Sequence, residues 1–387
     1  MKKLMILQIK SNELGGVWFF NKTISEELLK YNFQIEIVAI RDNHSKNKLE
    51  IAKSISLKTI NEQDKWEITR KKDILKALKT LKFKDILMIC KKYLSEHKKL
   101  KEDFTTLKNY IKKQNPDYII ASHYQTLDGI PKKYLKKTVA IQHSSLKDVL
   151  TLHDNTKKLK KYSKKIFKMV WLSKKTSELA EEKGFSNNTY MYNPVRFQTK
   201  LTADVIKNKK LISVTRINNS QKRIDLMLDI ANTVLKDSDW TFELYGTGEF
   251  TDYAKKILNN NKKIKYMGKT NNPMQVLLNA SINLNTSRME GFSLSILEAN
   301  MCGVPTVTFD FGESAPEEII NDKTGYIIYN DNKEEYIEKL LFLMNNSQKL
   351  QELANNSKKF GQKFTIDKII QNWLKLFGDL DNYNRKG

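Results

Sequence analysis

The stretch Ser287-Arg-Met-Glu290-Gly-Phe-Ser-Leu-Ser-Ile-Leu-Glu298-Ala-Asn-Met-Cys-Gly303-Val-Pro305 decides how the rest of the chain is read. It follows the apolar run Ile282–Asn285 and leads into another, Thr306–Phe309, so the order reads strand, loop, helix, strand. Gly291 to Ser293 form the loop entering the helix. The first amides of a helix have no acceptor within it and aim at whatever lies beyond, which suits an anion. Glu290 stands just before this helix and Glu298 eight residues later, roughly 12 Å along the axis at 1.5 Å per residue. Eight residues make a little over two turns, so both carboxylates are expected to face one groove. The span suits a ligand with phosphate between two hydroxylated ends, as in a nucleotide sugar. Taken alone, the two glutamates suit a helix cap and a surface charge equally well.

Working outward, the same alternation fills both halves. Leu4–Ile9, Gln34–Ile40, Tyr118–Ala121, Val139–Gln142 and Met169–Ser173 read as strands in the first. Leu211–Thr215, Thr241–Tyr245 and Lys263–Met267 join Ile282–Asn285 and Thr306–Phe309 in the second. Near-continuous apolar strands separated by helical patterns argue for parallel sheets covered on both faces. Two such series in 387 residues fit two doubly wound α/β domains. The expected boundaries are 1–195, 196–365 and a closing helix in 366–387, with the join near Asn193-Pro194. That last segment, with Ile366, Ile369, Ile370, Trp373 and Leu376 at helical spacing, is expected to pack back on the first domain.

Composition narrows the function classes. Cys90 and Cys302 alone build neither a disulfide framework nor a four-cysteine zinc site. No apolar run approaches the ~20 residues of a membrane-spanning helix, and Met1–Lys10 reads as a buried strand, which gives a cytoplasmic expectation. The net charge of +24 is unevenly placed. Residues 1–200 hold 43 Lys and Arg against 21 Asp and Glu, and subtraction from the totals leaves 25 against 23 for the remainder. A general taste for lysine would have spread over both halves, so the first half is expected to face something anionic. Residues 67–104 carry part of that charge on an amphipathic pattern. Leu75, Leu78 and Leu81 alternate with lysines, and Ile86, Leu87 and Ile89 precede Lys91 and Lys92. Docking to an anionic membrane face is one reading and a solvated helix the plainer one. Lys157–Lys161 and Lys164-Lys165 form a second basic run. Nothing resembles a zinc finger, an RNP motif or a helix-turn-helix, so no nucleic acid is expected.

The 287–305 stretch resembles the Glu-x7-Glu signature of retaining glycosyltransferases of family 4, which have the GT-B architecture of two Rossmann-like domains facing a central cleft. The resemblance rests on Glu-Gly-Phe-Ser-Leu, Leu-Glu-Ala and Gly-Val-Pro, with Pro316-Glu-Glu-Ile-Ile320 and Thr324-Gly-Tyr-Ile-Ile328 downstream. It covers the second half well and the first weakly. Leu211-Ile-Ser-Val-Thr-Arg216-Ile-Asn-Asn-Ser-Gln-Lys222-Arg-Ile-Asp225 resembles the family's strand, Arg, loop, Lys and helix. Thr215 and Arg223 stand where the pattern often has glycine.

The resemblance implies a metal-independent enzyme, without cofactor, that moves a hexose from a UDP- or other nucleoside-diphosphate sugar with retention. Arg216 and Lys222 would stabilise the charge gained by the leaving diphosphate. No Asp-x-Asp follows a strand to hold a metal instead. Glu290 and the amides of Phe292, Ser293 and Leu294, beside Gly291, would hold donor sugar and phosphate, and Glu298 the ribose. Gly246 of Tyr245-Gly246-Thr-Gly248 would let the ligand approach the backbone, and Gly268 and Lys269 would adjoin the base. Gly15-Gly16, after the first strand, resembles the glycine-rich loop near the donor phosphate. His123 resembles the strand-end histidine beside the reacting sugar, and His143, at the next strand end, is an acceptor-side candidate; buried structural histidines are the plainer alternative for both.

The acceptor implied is a lipid-linked saccharide or an anionic surface polymer of capsule, lipopolysaccharide, exopolysaccharide or teichoic-acid type, met at the inner membrane face. A non-catalytic GT-B-like subunit and a basic nucleic-acid-binding protein remain the rival classes.

Overall fold

The computed structural model describes residues 1–11, 15–41, 51–61, 83–151, 154–258 and 262–386. Among these, the first sheet comprises β1 (Lys2–Lys10), β2 (Phe33–Arg41), β3 (Ser56–Asn61), β4 (Tyr118–Ala121), β5 (Thr138–Gln142), β6 (Lys168–Trp171) and β7 (Asn188–Tyr190). Its spatial order is β3-β2-β1-β4-β5-β6-β7, and its pairings are parallel. The second comprises β8 (Lys210–Val214), β9 (Thr241–Tyr245), β10 (Ile264–Gly268), β11 (Ile282–Asn285), β12 (Thr306–Phe309) and β13 (Gly325–Ile328), in the order β10-β9-β8-β11-β12-β13, also parallel. Both are doubly wound, α/β sheets whose order reverses beside the first strand, between β1 and β4 and between β8 and β11. Open sheets of this kind bind ligands outside the carboxyl ends of the strands at that reversal.

Coverage on both faces explains the apolar strands. Leu4, Met5, Ile6 and Leu7 are all buried, although successive side chains point to opposite faces. Ile6 belongs to a cluster on one face and Met5 to a cluster on the other. The closing helix, Ile366–Lys386, buries Ile369, Ile370, Trp373, Phe377 and Leu380 in the first-domain cluster that also holds Leu4 and Ile6. Tyr118 donates its hydroxyl proton to Asp381 of that helix at 2.7 Å. Phe292, Leu297 and Met301 of the second domain enter the same cluster, beside Phe360 and Phe364. One apolar body therefore fixes the helix Leu294–Cys302 against the first domain.

The edges depart from expectation. β3 is short and half exposed, with Leu57 39% accessible, so its residues carry no buried-strand pattern. β6 stops at Trp171, and Ser173 instead caps the helix Lys174–Glu182, its hydroxyl accepting from the Thr176 amide at 3.1 Å. Of the basic segment, residues 67–82, including Leu75, Leu78 and Leu81, lie outside the described residues. The helix Phe83–Gln114 that follows buries Phe104, Leu107 and Ile111, and exposes Leu87, Met88 and Leu94. Among the described residues no helix is long and apolar enough to cross a membrane.

Candidate functional site

Loops from the carboxyl ends of both sheets converge on a cleft of about 540 Å³ between the domains. The first domain contributes Gly15, Gly16, His143 and Ser144, and the second contributes Arg216, Lys222, Gly246, Lys269, Glu290, Gly291, Phe292, Ser293 and Leu294.

The loop after β8 is held by backbone. Thr215 and Ile217 donate to the carbonyls of Tyr245 and Thr247 at 2.9 and 3.0 Å. Asn218 then caps the short helix Asn219–Lys222, accepting from Gln221 at 2.9 Å. The helix ends at Arg223 with φ +50°, a left-handed conformation that costs a side-chain-bearing residue about 1–2 kcal/mol. That cost is offset by contacts glycine cannot make. The Arg223 guanidinium donates to the Thr286 carbonyl and to Asp331, each at 2.6 Å, and lies over the Phe309 ring at 4.5 Å. Arginine in place of the family's glycine thus leaves the turn intact. Gly246 tolerates no such exchange: its φ is +139°, and a Cβ would stand 1.7 Å from the Thr215 carbonyl oxygen.

This geometry presents Lys222 to Glu290, and their side chains form an ion pair with both groups largely covered. Gln221 stitches the two loops together, donating to the Met289 carbonyl at 3.1 Å and accepting from the Arg288 amide at 2.8 Å. Arg216 is exposed in the cleft and has no ion pair among the described residues. Its Nη2 lies 3.2 Å from where a Cβ on Gly15 would stand, so the glycine loop of one domain meets the free guanidinium of the other.

The helix Leu294–Cys302 points its N-terminus into the cleft, and the Ser293 hydroxyl at its N-cap meets the Ser295 hydroxyl at 3.1 Å instead of accepting from a helix amide. Of the amides expected to face a donor, that of Ser293 is already engaged: it donates to Glu318 Oε2 at 2.8 Å, and Ser314 donates to Oε1 at 3.0 Å. Burial raises the Glu318 carboxyl well above its ordinary range, against the pull of these donors. Glu318 went unassigned in the sequence, although it sits in the Pro316-Glu-Glu run.

Three expected site residues do not line the cleft. Because the helix starts at Leu294, helical spacing does not apply from Glu290 onward, and the two glutamates diverge. Glu298 is fully buried, and Arg196 takes up its carboxylate, Nη2 to Oε2 at 2.6 Å and Nε to the other oxygen. Arg196 itself lines the cleft, 4.5 Å over the Phe19 ring. Gly268 stands behind the lining, its carbonyl accepting from the Gly246 amide at 2.8 Å, while Lys269 reaches the cleft. His123 is also set back. Its Nδ1 accepts from the Gln125 amide at 3.3 Å, its ring stacks on Tyr124, and burial lowers its pKa to about 4. His143 does line the cleft, edge-on to Phe20, with a covered Nε2 that has no partner among the described residues and a pKa lowered by burial to about 3. Among the described residues, no three His, Cys, Asp or Glu side chains gather as metal ligands would.

Residues 196–360 match the family model described as Glycosyl transferases group 1. Over 161 residues the chain is 32% identical to the poly(ribitol-phosphate) alpha-N-acetylglucosaminyltransferase of Staphylococcus aureus, covering 40% of this chain and 33% of that protein. Over 192 residues it is 24% identical to the poly(glycerol-phosphate) alpha-glucosyltransferase of Bacillus subtilis, covering 48% of this chain and 28% of that one. The chain thus spans a third or less of the length of these two relatives. In fold, the crystal structure of a point mutant of S. aureus TarM in complex with fondaparinux, alpha-GlcNAc-glycerol and UDP superposes with a TM-score of 0.72 at 17% identity, over 97% of this chain and 100% of that one. The architecture is GT-B.

Proposed function

We propose, from the premise that residues 196–360 match the glycosyl transferases group 1, that this chain moves a hexose from a nucleoside-diphosphate sugar, UDP-linked, to a cell-surface glycan acceptor. The observation that carries the reading is the meeting of Arg216, the Lys222–Glu290 pair and the mouth of the helix Leu294–Cys302 opposite Gly15-Gly16 in one interdomain cleft. Breaking a glycosidic bond to a diphosphate leaves growing negative charge on the leaving group. Two preplaced cations and free helix amides stabilise that charge in the transition state more than in the ground state. Lys222 is held by Glu290, which orients the ammonium and keeps the pair near neutral until an anionic donor enters. Arg216, with its fork exposed, is free to take two phosphate oxygens.

This division of labour supports metal-independent transfer, since the two cations do what a divalent ion would otherwise do. It also supports retention: the departing phosphate, held on the face it leaves, accepts the acceptor's proton, and no protein nucleophile is needed. The basic first domain would receive the acceptor, a lipid-linked saccharide or anionic polymer. Leu87 and Leu94 are 47% and 66% exposed and recur at helical spacing with Lys91 and Lys98, which supports a peripheral position on an anionic membrane face. The test is a panel of UDP- and GDP-sugars read by nucleotide release, with Lys222→Ala as control. Slow release from at least one sugar, abolished in the control, is expected; no release from any donor would sink the proposal.

A further inference from the structure

Outside the cleft, the first domain carries a second concavity of about 680 Å³. Seven lysines and a single aspartate line it. Lys108 and Lys112 come from one face of the helix Phe83–Gln114, and Lys132 and Lys133 from the 3-10 segment Lys132–Lys137. The helix Asp154–Ser163 and the residues just past it supply the remaining three, Lys158, Lys161 and Lys165. The aspartate, Asp128, is used up: it pairs with Lys158 and accepts from the Tyr162 hydroxyl at 2.8 Å. Lys108, Lys112, Lys132, Lys161 and Lys165 make no ion pair among the described residues. Like charges gathered into a hollow without counter-charge repel one another in the free protein, and an anion with several charges removes that repulsion.

We propose that this hollow is a subsite for the successive phosphates of an extended polyanionic acceptor, gripping the chain away from its reacting hydroxyl. The inference rests on the transferase reading for its role, though the binding itself does not. Three features favour a phosphate-bearing chain over a bilayer. The lysines surround a concavity, whereas a bilayer meets a flat or convex face. The apolar floor, Ile130, Pro131 and Leu135, is buried and offers no side chain to insert into lipid. The exposed Leu87, Met88 and Leu94 lie on the helix outside this hollow. The hollow also leads toward the cleft. A smaller cavity of about 180 Å³ shares Asp128, Lys158 and Tyr162 with it and reaches Tyr124, which stacks on His123.

The experiment titrates the full chain with inorganic polyphosphate by calorimetry, with UDP in excess to fill the cleft, and with UDP alone as a separate titration. The variants are Lys112→Ala/Lys161→Ala/Lys165→Ala, all exposed positions, and Lys222→Ala. Polyphosphate is expected to bind the parent with an affinity that falls as salt rises. The triple variant is expected to lose about tenfold or more in that affinity, with UDP binding and melting temperature unchanged, while Lys222→Ala keeps the parent affinity for polyphosphate. Absence of polyphosphate binding, an unchanged affinity in the triple variant, or a loss that follows Lys222→Ala instead overturns the subsite. So does a triple variant that loses binding to phosphatidylglycerol vesicles or to an oligonucleotide but not to polyphosphate. If UDP fails to bind while the polyphosphate result holds, the transferase reading falls and the subsite stands.

Discussion

A Cβ on Gly291 would stand 2.1 Å from the carbonyl oxygen of His143, so at this point the two domains meet backbone to backbone. Gly291 lies between Glu290 and Phe292 in the loop that enters the helix Leu294–Cys302, and His143 directly follows β5 of the first domain. The obstacle is backbone, which cannot swing aside. Gly291→Ala is therefore expected to push the helix mouth off the first domain. Displacing a positioned group by about 1 Å costs on the order of a hundredfold in rate. Turnover of the donor should fall by that order while the melting temperature moves little, because the apolar cluster around Phe292 and Leu297 persists. Unchanged turnover would mean that the observed contact is not part of the active arrangement.

Arg216→Ala and Lys222→Ala should each lower kcat by about 10²–10³, or roughly 3–4 kcal/mol of transition-state stabilisation. The two differ in what they leave behind. Arg216 has no ion-pair partner to strand, so its loss should spare stability. Lys222→Ala leaves Glu290 unpaired in a covered site, and should lower the melting temperature as well. A fall in kcat of less than threefold for either would remove that residue from the charge-stabilising role.

Much of this was legible in the sequence, for physical reasons that also mark its limits. The middle of β1 and the whole of β4 are legible because Leu4 to Leu7 and Tyr118 to Ala121 are buried on both faces, which favours apolar side chains at successive positions. β3 did not, because an edge strand with exposed Leu57 has no such constraint. Cleft residues that follow directly from a strand end, such as Arg216, were placed by strand position. The groove expected to be shared by Glu290 and Glu298 is not formed, because no single helical repeat runs between them: the helix includes only the second. Arg196 and Glu318 were missed for a different reason. Arg196 finds its partner 102 residues away and sits in what reads as a linker, so no local pattern marks it.

The pH dependence of stability should carry two opposite signatures. His123 and His143 have pKa values lowered to about 4 and about 3 from an ordinary 6.5, both chiefly by burial. Below pH 6.5 the unfolded chain binds protons that the folded one refuses, so stability is lost as pH falls from 6.5 toward 4. Glu318 acts at the other end of its own window: its folded pKa is raised by burial, so the folded chain holds a proton longer and stability falls as pH rises above about 4.5. Melting temperatures of the parent and Glu318→Gln across this range separate the two. The glutamine keeps an acceptor for the Ser293 amide, so the variant should lose the descending limb and retain the acid-side loss. Parallel curves for the two proteins would contradict a Glu318 carboxyl raised by burial.

Arg196 and Glu298 offer the sharpest stability test. Glu298 is fully buried and its carboxylate is held by both arms of one guanidinium, an arrangement whose net worth is small but whose disruption is not. Arg196→Ala strands a buried charge, which costs about 3–5 kcal/mol. Glu298→Gln leaves the arginine partly solvated in the cleft and should cost less. The double variant removes the stranded charge, so it is expected to be more stable than Arg196→Ala alone, a non-additivity that only a direct pairing produces. Denaturant unfolding of the four proteins measures it. Additive losses would mean that the two side chains do not share one another's charge, and Glu298 would then be free to turn toward the cleft.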